Sequence, residues 1–323
     1  MRISALLVVY VVWGSTYVAM KVGVERLPPL AMNAVRFFVA GALLWCWCAW
    51  RRRTRPWRRP TAAQWRAGAV QGLLLPACGT GGATWAEQRL PAGTTALLLA
   101  TIPLWMALGK RVVDGERIGW AGTAGIAAGF AGVALLTGAG DRPDPLATAV
   151  ALGGALCWGL GSVYATRAPR PEQPMLAASV EMLCAGVILA VAAGLGGEFG
   201  RFEAPGRSLW ALAYLIVFGS LLAYTCYVYL LEHMPTRVVG TYAFVNPVVA
   251  VLLGWWLLGE RIGARTALAT AVIVAGVALI VLPSRHGPRG VEPDDETTDA
   301  GDRGDRGGGR RGRRGLRPQE VRR

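Results

Sequence analysis

The amino-acid sequence predicts an all-α membrane protein with ten transmembrane helices arranged as two inverted five-helix repeats. Three observations lead to this prediction: long apolar runs, a motif that occurs twice, and arginines that lie mostly between the runs. Hydrophobic residues make up 53% of the 323-residue chain and charged residues 17%, yet the formal net charge is +14. A soluble domain rarely combines so apolar a composition with so large a charge.

The apolar runs are each roughly 18 to 22 residues long, which is enough to cross about 30 Å of hydrocarbon as a helix. They are continuous rather than alternating, so they predict helices instead of barrel strands. The predicted spans are 3–23, 30–50, 66–86, 93–113, 118–138, 146–166, 175–195, 209–231, 238–258 and 264–282. The first run is too long for a signal-peptide core, and we interpret it as a retained anchor.

A repeated motif divides these spans into two units. The equivalent residues are Pro103 and Pro247, the Glu-Arg-Ile-Gly segments 116–119 and 260–263, Trp13 and Trp158, and Arg36 and Glu181. The repeat predicts one unit over 3–138 and a second over 146–282. Because each unit has an odd number of spans, the second must enter the membrane in the opposite orientation.

The arginines predict the topology. With a cytoplasmic N-terminus, 14 Lys and Arg residues lie in that terminus and the short inner loops, 9 lie on the outer side, and 11 lie in the C-terminal segment. This asymmetry predicts a multi-pass membrane protein with both termini in the cytoplasm, and the Arg-rich, Lys-poor composition fits a bacterial source. Residues 284–323 are rich in Gly, Arg and Asp and predict a disordered basic cytoplasmic tail. The tail has eight acidic residues against 11 basic ones, a net charge of +3, so we expect no nucleic-acid partner.

Two charged residues lie well inside apolar spans, where a charge costs ~2.5–3.5 kcal/mol on insertion scales. We expect Arg36 and Glu181 each to face a cavity or a partner. Their predicted depths differ by roughly 10 Å, so a chain of substrate or water between them is as compatible with the sequence as a direct salt bridge. The alternatives are that Arg36 extends to the lipid headgroups and that Glu181 hydrogen-bonds a neighbouring helix.

Aromatic side chains with polar tips near span centres need hydrogen-bonding partners away from water, and they predict either a substrate platform or helix packing. The further substrate-binding candidates are Trp13, Tyr17, Trp85, Trp158, Tyr164, Tyr227 and Asn246. The gate candidates are Glu87, Pro103 and Pro247. A proline removes one backbone hydrogen bond from its helix. Glu87 ends the third span, where it either attracts an ammonium group or a coupling proton, or is simply solvated.

The composition argues against catalysis and metal chemistry. The only histidines are His233 and His286, both outside the spans, and the six cysteines lack the spacing of metal ligands. We therefore expect no enzyme activity, no metal site and no cofactor.

The doubled pattern resembles the EamA-type exporters of the drug/metabolite transporter superfamily. The matching residues are Trp13 to Tyr17, Arg36-Phe37, Ala86 to Gln88, Leu90 to Thr94, and Pro103 and Pro247 with the Gly-Glu pairs 115–116 and 259–260. The resemblance covers residues 3–282. It implies a ten-helix inner-membrane carrier, usually an exporter of amino acids or other small metabolites, whose central cavity opens alternately to either side. It also places the fifth helix of each unit outside the cavity, which leaves the Gly125 and Gly129 face open to a homodimer.

The predicted function is therefore a secondary transporter that exports a small metabolite, such as an amino acid or a related compound, by alternating access. Its partners are the lipid bilayer, the substrate and, as an open alternative, a coupling proton. A multidrug or lipid-type exporter of the same fold is the alternative within transport, although the first span lacks the glutamate of the small multidrug carriers. A non-transporting membrane protein is the alternative outside it.

Overall fold

A computed structural model of the chain describes residues 2–53, 57–115, 118–137, 143–203, 206–234, 236–239 and 241–281. The predicted tail and motif residues 116 and 117 lie outside this part of the chain. Ten long helical segments coincide with the ten predicted spans. They are α1 (Arg2–Val24), α2 (Pro29–Trp50), α3 (62–86), α4 (Ala92–Asp114), α5 (Trp120–Thr137), α6 (Pro145–Ala165), α7 (Pro174–Leu195), α8 (206–233), α9 (Tyr242–Leu258) and α10 (Ala264–Val281). Short helical turns cover Arg51–Arg53, Glu198–Arg201 and Thr236–Val239.

Three of the long helices are interrupted. α3 consists of Ala62–Gly72, a π-helical stretch Leu73–Thr80 and Gly81–Ala86, and α8 consists of Gly206–Tyr214, a π-helical stretch Leu215–Leu222 and Ala223–His233. α4 breaks at residues 100–101 into Ala92–Leu99 and Ile102–Asp114. Such irregular stretches within helices are frequent at functional sites.

Local capping explains several helix ends. Thr61 forms a capping box with Gln64, which lets α3 begin four residues before the predicted boundary. Gly115 and Gly259 follow α4 and α9 with φ of 68° and 67°, a left-handed conformation that glycine adopts without a steric penalty. The glycine of the repeated motif thus ends a helix at both of its occurrences.

The outward-facing surface is apolar, as expected for contact with lipid. Large exposed side chains include Leu195, Val112, Trp50 and Trp210, which are 87%, 84%, 78% and 78% accessible. Six helices are long and apolar enough to cross a membrane, and α5, α9 and α10 are shorter apolar helices. The predicted class, an all-helical membrane protein, is confirmed.

Two pairs of helices with equivalent positions in the sequence repeat pack against each other in opposite directions. On α2 and α7, Gly41 faces Leu183 whereas Phe38 faces Gly186, so the two helices are antiparallel. On α5 and α10, Gly125 lies against Gly276, and the two helices again run in opposite directions. A Cβ atom at Gly125 or at Gly276 would lie within 3 Å of the backbone of the facing helix. The contact between α5 and α10 therefore depends on small residues.

The α5–α10 contact bears on the homodimer alternative. A Cβ atom at Gly276 would approach the Gly125 carbonyl oxygen and the Gly129 amide nitrogen within 2.8 Å. The small-residue face of α5 is therefore covered by α10 of the same chain and is not an open dimer surface.

Candidate functional site

Arg36 is the most polar group buried between the helices. It is 6% exposed on α2, and its Nε donates a hydrogen bond of 3.0 Å to the Ser220 hydroxyl in the π-helical stretch of α8. The guanidinium lies over the Phe37 ring, 4.9 Å from the ring centroid. Its Nη1 is buried and has no hydrogen-bonding partner among the described residues. Arg36 therefore does not extend to the headgroups, and it keeps donor capacity for another group.

Gly219 makes the space that Arg36 occupies. A Cβ atom at this position would lie 3.0 Å from the Thr16 side chain and 3.3 Å from Arg36 Nη2. The Gly219 carbonyl oxygen accepts a 3.1 Å hydrogen bond from Trp13 Nε1. The π-helical stretch of α8 thus holds Arg36 of α2 and Trp13 of α1 through neighbouring residues.

Trp13 belongs to an aromatic cluster with three tyrosines, Tyr224, Tyr227 and Tyr242. The Trp13 ring centroid lies 5.2 Å from that of Tyr227 and 5.1 Å from that of Tyr242, and Tyr224 lies 6.4 Å from Tyr227. The sequence had pointed to Trp13 and Tyr227 as substrate-binding candidates. It missed Tyr242, although this residue lies one helical turn before the Asn246-Pro247 pair of α9.

Glu181 lies near Tyr224, one member of the aromatic cluster. It is partly buried on α7 and interacts electrostatically with Tyr224 and Cys184. No ion pair joins it to Arg36 in the part of the chain that the structure describes. Because Phe38 faces Gly186 in the antiparallel pair, Arg36 lies near the level of residue 188, about 10 Å along the helix axis from Glu181. Tyr224 of the aromatic cluster thus neighbours Glu181, and Trp13 of the same cluster binds Gly219 beside Arg36.

Glu87 is buried rather than solvated. Its side chain is 0% exposed, and neither carboxylate oxygen has a hydrogen-bonding partner among the described residues. It interacts electrostatically with Lys21, Glu260 and Arg36. Lys21 itself is committed to the backbone, because its Nζ donates to the carbonyl oxygens of Glu87 and Leu90. The solvated alternative for Glu87 is wrong, since its side chain is fully buried.

The other predicted candidates are more dispersed. Trp85 carries the Arg89 guanidinium 5.0 Å from its ring centroid and lines an open cleft of about 330 Å³ near the connection of α1 to α2. Trp158 packs against Gly79 in the π-helical stretch of α3, and Tyr164 is partly buried near the end of α6. Tyr17 is partly buried between the helices and interacts electrostatically with Glu87. Trp13 and Trp158 thus occupy comparable positions in different parts of the bundle.

The two proline candidates differ in structure. Pro103 is the second residue of the helix that follows the break in α4, so its missing N–H removes no hydrogen bond within that helix. Pro247 lies inside the continuous helix α9, next to the buried Asn246. The Asn246 Oδ1 has no hydrogen-bonding partner among the described residues. Only Pro247 interrupts the hydrogen bonding of a continuous α-helix, whereas Pro103 starts a new one.

The described residues contain no group of three or more His, Cys, Asp or Glu side chains that could hold a metal ion. The chemistry on offer is instead binding: a guanidinium with a spare donor, an aromatic cluster, the buried carboxyl group of Glu87 and the partly buried one of Glu181. In an apolar bundle such groups mark a pathway for a solute or an ion, which is the character of a membrane transport protein.

The comparison with known families agrees with this character. The sequence model of the EamA-like transporter family matches residues 1–138 and again residues 146–282. The chain belongs to the EamA-like transporter family.

Individual relatives cover most of the chain. The uncharacterized inner membrane transporter YedA of Escherichia coli strain K12 is 39% identical over 283 residues, which span 86% of this chain and 90% of YedA. A probable terminal-alkyne amino-acid exporter of Streptantibioticus cattleyicolor is 26% identical over 284 residues, covering 85% of this chain and 92% of that protein. A solved crystal structure at 22% identity has the same fold, with a TM-score of 0.59 over 86% of this chain and 96% of its own. The family and these relatives indicate a membrane transporter rather than an enzyme.

Proposed function

We propose that this protein is a secondary transporter that exports a small metabolite, an amino acid or a related compound, across the bacterial inner membrane. Transport proceeds by alternating access between two inverted five-helix units, residues 3–138 and 146–282. The observation that carries the proposal is the buried guanidinium of Arg36, whose Nη1 lacks a partner among the described residues beside the aromatic cluster.

The contacts between equivalent helices support the inverted arrangement. A pseudo-twofold axis in the membrane plane makes any two equivalent helices that meet on it antiparallel, and both α2 with α7 and α5 with α10 meet in this way. The same axis would also relate two contacts that lie on different helix pairs. Gly14 of α1 faces Val249 of α9, and their equivalents Gly159 and Trp105 face each other on α6 and α4.

The substrate site that we propose runs from Arg36 through the aromatic cluster to Glu181. Arg36 binds an anionic group of the substrate, because a guanidinium presents several donors in a fixed plane. The rings of Trp13 and Tyr227 contact its apolar part. Glu181 faces the opposite end of the pathway, where a carboxylate accepts hydrogen bonds from an ammonium group or exchanges a proton. A buried arginine disfavours a purely cationic drug at this site, which argues against the multidrug alternative.

The topology completes the proposal. With both termini in the cytoplasm, the α1–α2 connection faces the periplasm, and Arg36 and Glu87 lie in the outer half of the membrane. Glu181 then lies in the inner half. The amino-acid exporter among the relatives supports, at 26% identity, both the outward direction and the substrate class.

Flux measurements on purified protein in liposomes test the proposal. A thermal-shift screen of amino acids, organic cations and nucleobase-like metabolites first identifies ligands, because a ligand that binds only the native state raises its apparent stability. Radiolabelled counterflow of each positive compound then measures transport, with Arg36→Gln protein as the control. We expect flux of a compound that carries a carboxylate. Binding without flux, or chemical turnover without flux, would contradict the proposal.

A further inference from the structure

The turn that joins α3 to α4, residues 87–91, is held by charged groups from several parts of the chain. Lys21 on α1 donates hydrogen bonds of 2.5 and 2.9 Å to the carbonyl oxygens of Glu87 and Leu90. These carbonyls follow the C-terminal end of α3, where a cation is favoured by the helix dipole. Arg89 pairs with Asp144 at 3.7 Å, and Asp144 also caps the first turn of α6.

Glu260 holds the other end of the same turn. Its two carboxylate oxygens accept hydrogen bonds of 2.6 and 3.1 Å from the backbone N–H groups of Ala92 and Gly93. These N–H groups begin α4 and have no partner within that helix. Glu260 follows α9, so one carboxylate joins the end of α9 to the start of α4.

The path of the chain around Glu260 serves this contact. Gly259 turns the backbone out of α9 in the left-handed conformation, and the Glu260 N–H returns to the Gly254 carbonyl oxygen at 3.1 Å. Gly254 leaves room for the carboxylate, since a Cβ atom there would overlap Oε2 and lie 3.0 Å from Cδ. At its second occurrence the Gly-Glu pair of the repeated motif therefore ends α9 and places a carboxylate against the start of α4.

Buried polar groups adjoin the turn. The Glu87 carboxyl is 0% exposed and unpartnered among the described residues, and Thr84, one helical turn earlier, is also 0% exposed. Arg36 is within electrostatic range of Glu87. The turn therefore begins at a buried carboxyl group that lies near Arg36 of the proposed substrate site.

We propose that Glu260 is a latch that holds the α3–α4 turn closed over the pathway, and that this end of the protein opens only when the latch releases. The proposal rests on the alternating-access function proposed above. Glu260 belongs to the second unit and its N–H partners to the first, so a movement between the units pulls directly on these two hydrogen bonds. The bonds lie at a helix end, where water can replace them on opening.

Thiol accessibility in purified protein tests the latch without a transport assay. A Thr84→Cys reporter is introduced into protein whose native cysteines are replaced by alanine, and the protein is placed in lipid nanodiscs that expose both ends. A positively charged methanethiosulfonate then labels the reporter. Glu260→Ala should raise the labelling rate at least about fivefold, the change in population expected when an interaction as strong as a helix cap is lost. Glu260→Gln keeps one acceptor oxygen and should have a smaller effect.

Gly254→Ala approaches the same contact from the other side. Its methyl group displaces the Glu260 carboxylate without removing it, so labelling should again increase. Gly153→Ala is its matched control, because a Cβ atom at Gly153 on α6 meets nothing within 4 Å. Glu198→Ala is the control for the carboxylate: Glu198 accepts a 2.9 Å hydrogen bond from the Ala31 N–H at the start of α2, so it caps a different helix from Glu260. Both controls should leave the labelling rate unchanged within about twofold, because neither substitution alters the cap that Glu260 provides at the start of α4.

The outcomes separate the latch from a simple stabilising cap. Equal increases in labelling for Glu260→Ala and Glu198→Ala would overturn the proposal, and so would unchanged labelling in both Glu260→Gln and Gly254→Ala. If Glu260→Ala fails to fold, these two milder variants decide the question. Increased labelling in a protein that moves no solute in liposomes would support the latch and contradict the transport function. Normal flux with unchanged labelling would contradict the latch alone.

Discussion

The role of Arg36 is tested by separating its charge from its hydrogen bond to Ser220. Arg36→Gln removes the guanidinium, and with it the Nη1 group that has no partner among the described residues. A hydrogen bond to a charged group contributes about 1.5–3 kcal/mol. If the substrate's anionic group supplies that bond, Arg36→Gln should raise the apparent KM about 10- to 150-fold, because each 1.4 kcal/mol changes an equilibrium tenfold.

Ser220→Ala is the matched control for this variant. It removes the acceptor of the 3.0 Å bond from Arg36 Nε and leaves the charge in place. A buried donor without a partner costs about 1–3 kcal/mol, so the melting temperature should fall while the apparent KM changes little. Arg36→Lys retains the charge without the planar donor set, so its apparent KM should fall between those of the wild type and Arg36→Gln.

Initial rates of uptake into proteoliposomes, together with thermal unfolding of each purified variant, give both quantities. A wild-type KM in Arg36→Gln would refute the binding role. If Ser220→Ala raised KM as much as Arg36→Gln does, the arginine would instead act by holding α2 against α8.

Three further predictions concern the pathway and the topology. Trp13→Leu, which removes the hydrogen bond to Gly219 and the contacts with the aromatic cluster, should lower flux at near-normal expression, as should Trp158→Leu; equal losses of folded protein and flux would identify these tryptophans as core residues. Glu181→Gln should bind substrate but lose the dependence of flux on a pH gradient, and gradient-driven flux at the wild-type rate in this variant would exclude a proton role. The Arg36→Ala Glu181→Ala double variant should lose less flux than the sum of the losses in the two single variants, and additive losses would exclude coupling between the two residues. Cysteines introduced near residue 55 and in the tail should be protected from impermeant reagents in intact cells and one near residue 141 should be labelled, whereas the reverse pattern would reject the proposed topology.

Hydropathy predicted the helices well because lipid requires each crossing segment to be long, apolar and hydrogen-bonded within itself. The ends were less predictable. α3 begins at Ala62 because of the capping box at Thr61, a polar signal that a hydropathy window passes over. The π-helical stretches of α3 and α8 also escaped prediction. One contains Pro76, but the other has no proline. The π-helical stretch without a proline is the one in α8, where Gly219 and Ser220 accept hydrogen bonds from side chains of α1 and α2.

The site was predictable where a residue is unusual for its position. An arginine within an apolar span has a cost that only a buried partner or ligand offsets, so Arg36 stood out in the sequence. Ser220 and Lys21 did not, because a serine in a helix and a lysine near a helix end are ordinary. Their importance comes from partners that lie 184 and 66 residues away in the chain. Likewise the burial of Glu87 arises in the folded bundle, and no periodicity in the sequence reveals it.

The proposed repeat also explains why the two ends of the pathway differ in chemistry. An inverted duplication places equivalent positions at mirrored depths, so Arg36 and Glu181 occupy corresponding positions in opposite leaflets, yet they carry opposite charges. The backbone contacts stay alike in the two units, as in the glycine-mediated packing of α1 on α9 and of α6 on α4. A similar scaffold allows the bundle to open toward either side at comparable cost. In the proposed site this difference in charge would make the two openings unequal for a substrate, because Arg36 attracts an anionic group and Glu181 a cationic one. Directional preference in such a transporter then arises from side chains, while reversibility arises from the fold.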